Sequence, residues 1–201
     1  MSQAIEFYFD FSSPYGYLGS QRIDAIAEKH SCEVHWRPFL LGAVFKQLGT
    51  GPLISQPVKG PYSHHDLQRS ARLYGITINI PDPFPVHTVA ACRAYYWVLD
   101  NKGPELAQQF AHALYCGYFI DNRNVGDAKV VVETATTLGL DRDAVTAALE
   151  DSAIKARLRT VVDGALKKGV FGAPFFIYGE EQFWGCDRMD HLDKWLETGG
   201  W

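Results

Sequence analysis

The sequence predicts an α/β fold in which an all-helical segment interrupts a small buried sheet. Three observations favour this fold class. The N-terminal part has strand, helix and strand patterns in turn, the middle carries four helical patterns in succession, and the C-terminal part has two short strands flanked by helices. The period at which apolar residues recur distinguishes these elements, being two residues in a half-buried strand and about 3.6 in an amphipathic helix.

The N-terminal part begins with residues 5–11, whose aromatic and β-branched side chains are typical of a buried strand. Pro14 suits the first turn of a helix because its missing N–H would have no intrahelical partner there. The helical pattern continues to about His30, and residues 32–39 alternate as a second strand. Short links between the elements of a strand–helix–strand unit predict a right-handed connection and parallel strands.

The middle of the chain is rich in helical patterns. Residues 42–60 contain many Gly, Pro and Ser residues and predict a short helix mixed with loop, and residues 63–74 predict a longer helix. Residues 76–80 are extended rather than a strand, because three prolines follow them at once. The next four helices are predicted over residues 86–99, 104–118, 128–138 and 142–150. Four consecutive helices indicate a compact helical block.

The C-terminal part returns to mixed structure. A helix is predicted over residues 153–168, and a strand over 170–178 is entered through Pro174. A three-residue turn and a second strand over 182–185 form an antiparallel hairpin with it. A last helix covers residues 188–198.

This order of elements matches a thioredoxin-like fold with an all-helical insertion domain. Residues 1–41 and 153–201 form the predicted thioredoxin-like domain, and residues 42–152 form the predicted helical insertion domain. A chain of 201 residues is long enough for either one large domain or two small ones.

Composition excludes several function classes. Hydrophobic content of 47% and charged content of 21% are those of ordinary soluble globular proteins. A net charge of −4 with no cluster of Lys and Arg argues against a nucleic-acid partner. No apolar stretch approaches the roughly 18 residues of a membrane-spanning helix, so no membrane partner is expected.

The four cysteines and seven histidines show no metal-ligand spacing, so we expect no metal site. The N-terminus lacks the charged and apolar regions of a signal peptide. Scattered cysteines without a Cys-x-x-Cys motif then predict reduced thiols and a cytoplasmic location.

The junction between the first strand and first helix is the most informative segment. In a thioredoxin-like redox protein the two cysteines would stand at Ser13 and Gly16. A hydroxyl therefore replaces the thiolate at a helix N-terminus, which favours anions. Ser13 can donate its hydroxyl to a bound thiolate. Alternatively, Ser12 or Ser13 only caps the helix, the commonest role of serine there.

Two further segments converge on this junction in a thioredoxin-like fold. Pro174 after Ala173 is a candidate cis-proline facing the first helix, where the Ala173 main chain can pair with a peptide-like ligand. The alternative is a trans-proline that begins an edge strand. Asp187, before the last helix, can cap that helix or hold an ammonium group.

Four motifs in register carry a resemblance to a known family: residues 7–15, 59–62, 171–174 and 183–188. Together they resemble the 2-hydroxychromene-2-carboxylate isomerases. These are glutathione-dependent enzymes of bacterial aromatic degradation, such as that of naphthalene, related to kappa-class glutathione transferases and DsbA-like oxidoreductases. The resemblance covers nearly the whole chain.

The resemblance implies a glutathione cofactor and assigns roles at its site. Ser13 corresponds to the catalytic serine that hydrogen-bonds the glutathione sulfur. Ala173, before cis Pro174, pairs with the cysteinyl unit. Asp187 and the main chain of Cys186 bind the γ-glutamyl end, although a serine is common at the position of Cys186. Lys59 lies near the glycyl carboxylate.

The implied reaction interconverts 2-hydroxychromene-2-carboxylate, a cyclic hemiketal, and trans-o-hydroxybenzylidenepyruvate or a related aromatic carboxylate. It proceeds by conjugate addition of a thiolate, bond rotation and elimination. The family also implies a homodimer in the cytoplasm.

The substrate needs a cation for its carboxylate and an apolar wall for its ring. Four cations are candidates, and the sequence does not choose among them: Lys59, Arg69, Arg72 and Arg188. The aromatic candidates are Tyr15, Tyr62, Phe84, Tyr95 and Trp184, with core packing as the alternative for each. Of all these, we assign Tyr15, Tyr62, Phe84 and Arg188 to the substrate.

Three other functions compete with the isomerase. A kappa-class-like glutathione transferase would share the thiolate chemistry, and a non-catalytic thioredoxin-fold binding protein would not bind glutathione. A disulfide oxidoreductase is disfavoured because Gly16 cannot resolve a mixed disulfide.

Overall fold

The computed structural model describes residues 3–201. The strands are β1 (Ile5–Phe9), β2 (Val34–Pro38), β3 (Phe175–Tyr178) and β4 (Glu181–Trp184). The helices are α1 (Pro14–Ser20), α2 (Ile23–Lys29), α3 (Leu41–Leu48), α4 (Lys59–Tyr74), α5 (Val89–Lys102), α6 (Pro104–Phe119), α7 (Ala128–Thr137), α8 (Arg142–Glu150), α9 (Ser152–Lys167) and α10 (Met189–Thr198). Single 3-10 turns occupy Leu53–Ser55 and Cys186–Arg188.

The four strands form one mixed sheet in the order β2-β1-β3-β4. β1 and β2 are parallel, with Ile5 opposite Val34, and β3 is antiparallel to both β1 and β4. The predicted parallel pair and C-terminal hairpin are therefore both present, and the thioredoxin-like fold class is confirmed.

One face of the sheet carries a layer of aromatic rings. Phe7 stacks on Phe9 at 4.8 Å and on Phe176 at 5.1 Å, while the edge of Trp36 meets Phe7 at 4.9 Å. α6 covers this face and places the ring of Tyr115 5.6 Å from Phe9. Burial of such large apolar side chains is the main favourable contribution to folding.

The helical insertion covers the edge of the sheet at β2. Because β2 pairs with β1 on one side only, the carbonyls of Trp36 and Pro38 point outward. Two buried side chains of α5 satisfy them: Tyr95 Oη donates to Trp36 at 3.0 Å and Tyr96 Oη to Pro38 at 2.7 Å. Tyr95 is therefore a core residue, and its candidacy for the substrate wall was wrong.

Several predicted boundaries differ from the observed ones. The predicted helix from Pro14 to His30 is two helices, because the Ser20 hydroxyl donates to the Tyr17 carbonyl at 2.7 Å and ends α1. Such back-bonding competes with the helical hydrogen bonds. α4 starts at Lys59 rather than at residue 63, since Pro61 fits a first turn that needs no N–H.

In residues 42–152 the regular elements are all helical, as predicted. The segment is joined to β1 through Asp10, a wholly buried carboxylate. Asp10 accepts from the Leu41 N–H at 2.8 Å and from Thr88 Oγ1 at 2.9 Å, at the starts of α3 and α5. The division of the chain into two domains stays a prediction.

Across residues 3–201, no helix combines the length and the apolar character that crossing a membrane requires.

Candidate functional site

Ser13 caps α1 and also reaches across the molecule. Its backbone is extended, and its Oγ accepts from the Gly16 N–H at 3.0 Å. The same hydroxyl donates to the Ala173 carbonyl at 3.0 Å. Ser13 rather than Ser12 is thus the cap, and it is 7% exposed. The capping and ligand-binding interpretations are compatible, because the proton of this hydroxyl is not used by the cap.

The turn that presents Ser13 is held by Asp10 and Ser12. Asp10 Oδ1 accepts from the Ser12 N–H at 2.8 Å, and Ser12 Oγ accepts from the Val86 N–H at 3.0 Å. Burial raises the pKa of Asp10, against the lowering effect of its hydrogen bonds from Ser12, Leu41 and Thr88. Sequence reasoning missed Asp10, although an aspartate directly after a buried strand was a visible signal.

The loop before β3 faces the start of α1 as predicted. The Ala173–Pro174 peptide bond is cis, and the Pro174 carbonyl accepts from the Gly185 N–H at 3.0 Å. A Cβ atom at Gly19 would lie 3.1 Å from the Pro174 side chain, so glycine lets α1 approach this loop closely.

Gly16 occupies the position of the second redox cysteine, and the structure gives it no space for a side chain. A Cβ atom there would lie 2.7 Å from Tyr115 Oη, which donates to the Asp10 carbonyl at 3.0 Å. The four cysteines of the chain are all unpaired thiols within the described residues. A cysteine at residue 16 would therefore need the buried tyrosine to move.

The loop between β4 and α10 lies against the same end of α1. Gly185 has φ of 104°, and the 3-10 turn begins at Cys186. The Cys186 thiol is buried, and this burial, helped by the charge of Asp187, raises its pKa to about 12. At neutral pH the thiol is therefore protonated and a poor nucleophile.

Arg22, between α1 and α2, holds this loop in place. Its Nη1 donates to the Cys186 carbonyl at 3.1 Å, and its Nη2 pairs with Asp190 at 2.5 Å. The guanidinium also lies 4.1 Å from the centre of the Tyr74 ring. Sequence reasoning missed Arg22, because its polar partners lie more than 160 residues away along the chain.

Asp187 does not cap α10, although local spacing favoured that role. The helix begins at Met189 and has no side-chain cap. The Asp187 carboxylate is largely exposed and lies 3.4 Å from Arg188 Nη1. The turn at Cys186–Arg188 sets it two residues before α10, so it is accessible to a ligand from solvent.

α4 lies beside the start of α1 and contacts it through Ser63 and Asp66. Lys59 is the exposed first residue of the helix, and Tyr62 is 63% exposed. Tyr15, two residues after Ser13, donates its hydroxyl to Asp66 Oδ2 at 2.8 Å. Burial, together with this bond to Asp66, raises the pKa of Tyr15, so its hydroxyl stays protonated. Asp66 had no signal in the sequence.

The other aromatic candidates are more dispersed. Phe84 is half-buried and packs 6.4 Å from Tyr118, in the segment that is tied to Ser12 through Val86. Trp184 is 53% exposed and meets the edge of Phe171 at 4.7 Å. Trp184 therefore remains open to a ligand, but next to the Ala173 loop rather than next to α4.

The structure thus brings together Ser13, Ala173, Pro174 and Cys186 around the start of α1, with α4 along one side. In the part of the chain that the structure describes, no group of three His, Cys, Asp or Glu side chains could hold a metal ion.

Comparison with known proteins agrees with this fold. A family model for the DSBA-like thioredoxin domain matches residues 4–197. The chain is 31% identical to a 2-hydroxychromene-2-carboxylate isomerase of Sphingobium xenophagum, over 98% of this chain and 99% of the relative. It is 23% identical to glutathione S-transferase kappa 1 of Rattus norvegicus, over 96% and 93% of the two chains. The solved structure of a 2-hydroxychromene-2-carboxylate isomerase superposes with a TM-score of 0.86 at 27% identity, covering 96% of this chain and 94% of that one.

Proposed function

For this chain, which belongs to the DSBA-like thioredoxin family and within it to the 2-hydroxychromene-2-carboxylate isomerases, we propose a glutathione-dependent isomerase. Its substrate is an aromatic carboxylate such as 2-hydroxychromene-2-carboxylate, interconverted with trans-o-hydroxybenzylidenepyruvate. One observation carries the proposal. A serine hydroxyl, not a thiol, stands at the start of α1 and faces the main chain of Ala173.

The residues around Ser13 suit the chemical groups of glutathione. The exposed carboxylate of Asp187 matches the γ-glutamyl ammonium, and the Lys59 ammonium matches the glycyl carboxylate. The Ala173 main chain and Pro174 lie opposite Ser13 and suit the cysteinyl unit. Cys186 contributes only its main chain, since its thiol is buried and protonated. Glutathione held by these residues would supply a thiolate as the nucleophile toward the conjugated double bond of the substrate.

The protein's part in this chemistry is to stabilise an anion beside α1. Within residues 3–201 the Tyr15 N–H has no hydrogen-bond partner, and it belongs to the first turn of the helix. Ser13 adds a second donor when its hydroxyl rotates from the Ala173 carbonyl toward the ligand. The cap survives this rotation, because Oγ still accepts from Gly16. Two donors at the positive end of a helix lower a thiol pKa.

On the substrate side, the proposal assigns Tyr15, Tyr62 and Phe84 to the aromatic ring. The Tyr15 hydroxyl is committed to Asp66, so its ring rather than its proton contacts the substrate. Arg188 pairs with Asp187 and adds positive charge beside the carboxylate that the proposal assigns to the γ-glutamyl end. The homodimer and the cytoplasmic location stay predictions.

The test is the variant Ser13→Ala. We expect a tenfold to hundredfold loss of isomerase activity, which corresponds to the free energy of about one charge-assisted hydrogen bond. The pKa of bound glutathione, measured by thiolate ultraviolet absorbance, should rise toward the value of about 8.5 for a free cysteine thiol. If activity is unchanged, helix N–H groups alone stabilise the thiolate and the role of Ser13 is wrong.

The control for lost stability is Asp141→Ala, which removes a cap from α8. Asp141 Oδ1 accepts from the Ala144 N–H at 2.8 Å, as Ser13 accepts from Gly16. Loss of a cap costs about 1 kcal/mol, so Asp141→Ala should lower the melting temperature but leave the thiol pKa unchanged.

The second candidate is a kappa-class-like glutathione transferase, favoured by the full-length kappa relative. Substrate assays separate the two. Conjugation of a model aryl halide without turnover of the chromene carboxylate would exclude the isomerase. Absence of glutathione binding would exclude both enzymes and favour a non-catalytic binding protein.

A further inference from the structure

Arg69 on α4 is an exposed cation that contacts two other side chains of its own helix. Its guanidinium pairs with Asp66, three residues earlier in the same helix, and donates to Tyr62 Oη at 3.2 Å. It also lies 5.7 Å from the centre of the Tyr62 ring. A long side chain ordinarily loses conformational entropy when it binds a ligand. Contacts that already order the side chain in the free protein make this entropy cost of binding smaller.

Asp66 connects Arg69 to the candidate site. Its other oxygen accepts from Tyr15, whose N–H and ring belong to the first turn of α1. The Tyr15 hydroxyl also lies 3.4 Å from the Ser63 carbonyl. α4 therefore lies against the first turn of α1. Arg69 is therefore linked to the first turn of α1 through Asp66 and Tyr15.

The guanidinium retains unused donors. Arginine has five N–H groups, of which Asp66 and Tyr62 engage Nη2. The planar fork of the remaining groups suits a carboxylate better than a lysine ammonium does. The net charge of the Asp66–Arg69 pair is zero. A carboxylate would therefore be bound by directed hydrogen bonds from the guanidinium rather than by long-range electrostatic attraction.

The other cations near the site are either engaged or unsupported. Arg22 is committed to Cys186, Asp190 and Tyr74. Arg188 pairs with Asp187, at the end assigned to the γ-glutamyl group. Arg72 is exposed, and within residues 3–201 it has no ion-pair or hydrogen-bond partner on its side chain.

We propose that Arg69, positioned by Asp66, binds the carboxylate of the aryl-substituted α-keto acid substrate. The inference rests on the proposed function for the identity of the substrate. It selects one of the four cations that the sequence left open, and it makes Asp66 a positioning residue that acts through Arg69.

The experiment compares Arg69→Gln with Arg72→Gln, which removes the same charge from the same helix. The probes are benzylidenepyruvate and its methyl ester, with binding measured by tryptophan fluorescence in the presence and absence of glutathione. We expect the unmodified protein to prefer the acid, and Arg69→Gln to weaken acid binding by tenfold to a hundredfold with little effect on the ester. Arg72→Gln should keep the preference.

Two results would overturn the assignment: an unmodified protein that binds acid and ester equally, or an Arg69→Gln variant that keeps the preference. An equal loss of acid binding in Arg72→Gln would also contradict the assignment, since the positive charge of α4 as a whole would then explain the preference for the acid. Circular dichroism and glutathione affinity, measured on the same samples, show whether the fold and the cofactor site are intact.

Asp66 is tested by Asp66→Asn, which keeps the shape and removes the charge. The ratio of the affinity for the acid to the affinity for the ester should fall part of the way toward that of Arg69→Gln, because Arg69 is still present but less constrained. A ratio equal to that of the unmodified protein would limit Asp66 to a structural role. If the unmodified protein does not isomerise the chromene carboxylate while its preference for the acid still depends on Arg69, the proposed function fails and the assignment of Arg69 as a carboxylate-binding residue stands.

Discussion

Ser13 has two partners at once, so the catalytic role proposed for it is compatible with its structural role. Its oxygen accepts from Gly16 to begin α1, and its proton goes to the Ala173 carbonyl. Only the second bond must change when a ligand with a thiol arrives. The ligand-binding role therefore requires no rearrangement of the helix start.

The absence of a side chain at residue 16 is predicted to be a steric requirement. Gly16→Ala would place Cβ 2.7 Å from Tyr115 Oη, in the buried contact that joins α6 to the turn after β1. We expect a loss of about 1–3 kcal/mol in the free energy of unfolding, typical of overpacking. Urea denaturation measures it.

Gly164→Ala in α9 is the matched control. A Cβ atom there would meet nothing within 4 Å, so the helix should gain about 0.5–1 kcal/mol from the better propensity of alanine. Equal effects of the two substitutions would contradict the steric account of Gly16.

The residues that sequence could find differ from those it missed by the distance to their partners. Ser13, Pro14 and Pro174 carry local signals, because a cap or a proline acts on its own neighbours. Arg22 and Asp66 act on groups 164 and 51 residues away, and no periodicity encodes such pairs. The motifs thus indicated the residues around the start of α1, while the contacts around α4 needed coordinates.

Among the elements, β1 is held to α9 and β2 by a charged cluster around Glu6. Its carboxylate pairs with Arg37 at 2.8 Å and with Lys168, and Tyr8 Oη donates to it at 3.3 Å. Burial alone would raise the pKa of Glu6, but Lys168 and Arg37 outweigh burial and lower it below the usual 4.5. The charged form is therefore favoured in the folded state.

This cluster predicts a pH-dependent contribution to stability. Because the folded pKa is below the unfolded one, the contribution is complete above 4.5 and is lost as pH falls through the folded value. Glu6→Gln should lower the free energy of unfolding by about 1–2 kcal/mol at neutral pH, and the difference should vanish in acid. Urea denaturation at stepped pH measures it.

Glu180→Gln serves as the control, because this exposed residue has no ion pair among the described residues. Its stability should follow that of the unmodified protein at every pH. A Glu6→Gln difference that stays constant into acid would show that packing rather than charge is responsible.

On the scale of the whole molecule, the predicted thioredoxin-like and insertion domains share one core. Three tyrosines of the predicted insertion donate hydrogen bonds to main-chain carbonyls of the β1 and β2 region: Tyr95, Tyr96 and Tyr115. Asp10 makes the reverse connection to the starts of α3 and α5. Sequence periodicity did not indicate these links, since a tyrosine that donates a buried hydrogen bond and an apolar core residue look alike in the pattern.

We therefore predict that the chain unfolds in one cooperative step. Separating the units would expose the outward carbonyls of Trp36 and Pro38 and leave the buried Asp10 carboxylate without two of its donors. Each of these hydrogen bonds contributes about 0.5–1.5 kcal/mol, and separation would also expose the apolar surface of the shared core, so a half-unfolded state is disfavoured. Calorimetric and van't Hoff enthalpies should agree, and circular dichroism and tryptophan fluorescence should report the same midpoint. Two separate transitions would show instead that residues 42–152 fold independently of the sheet.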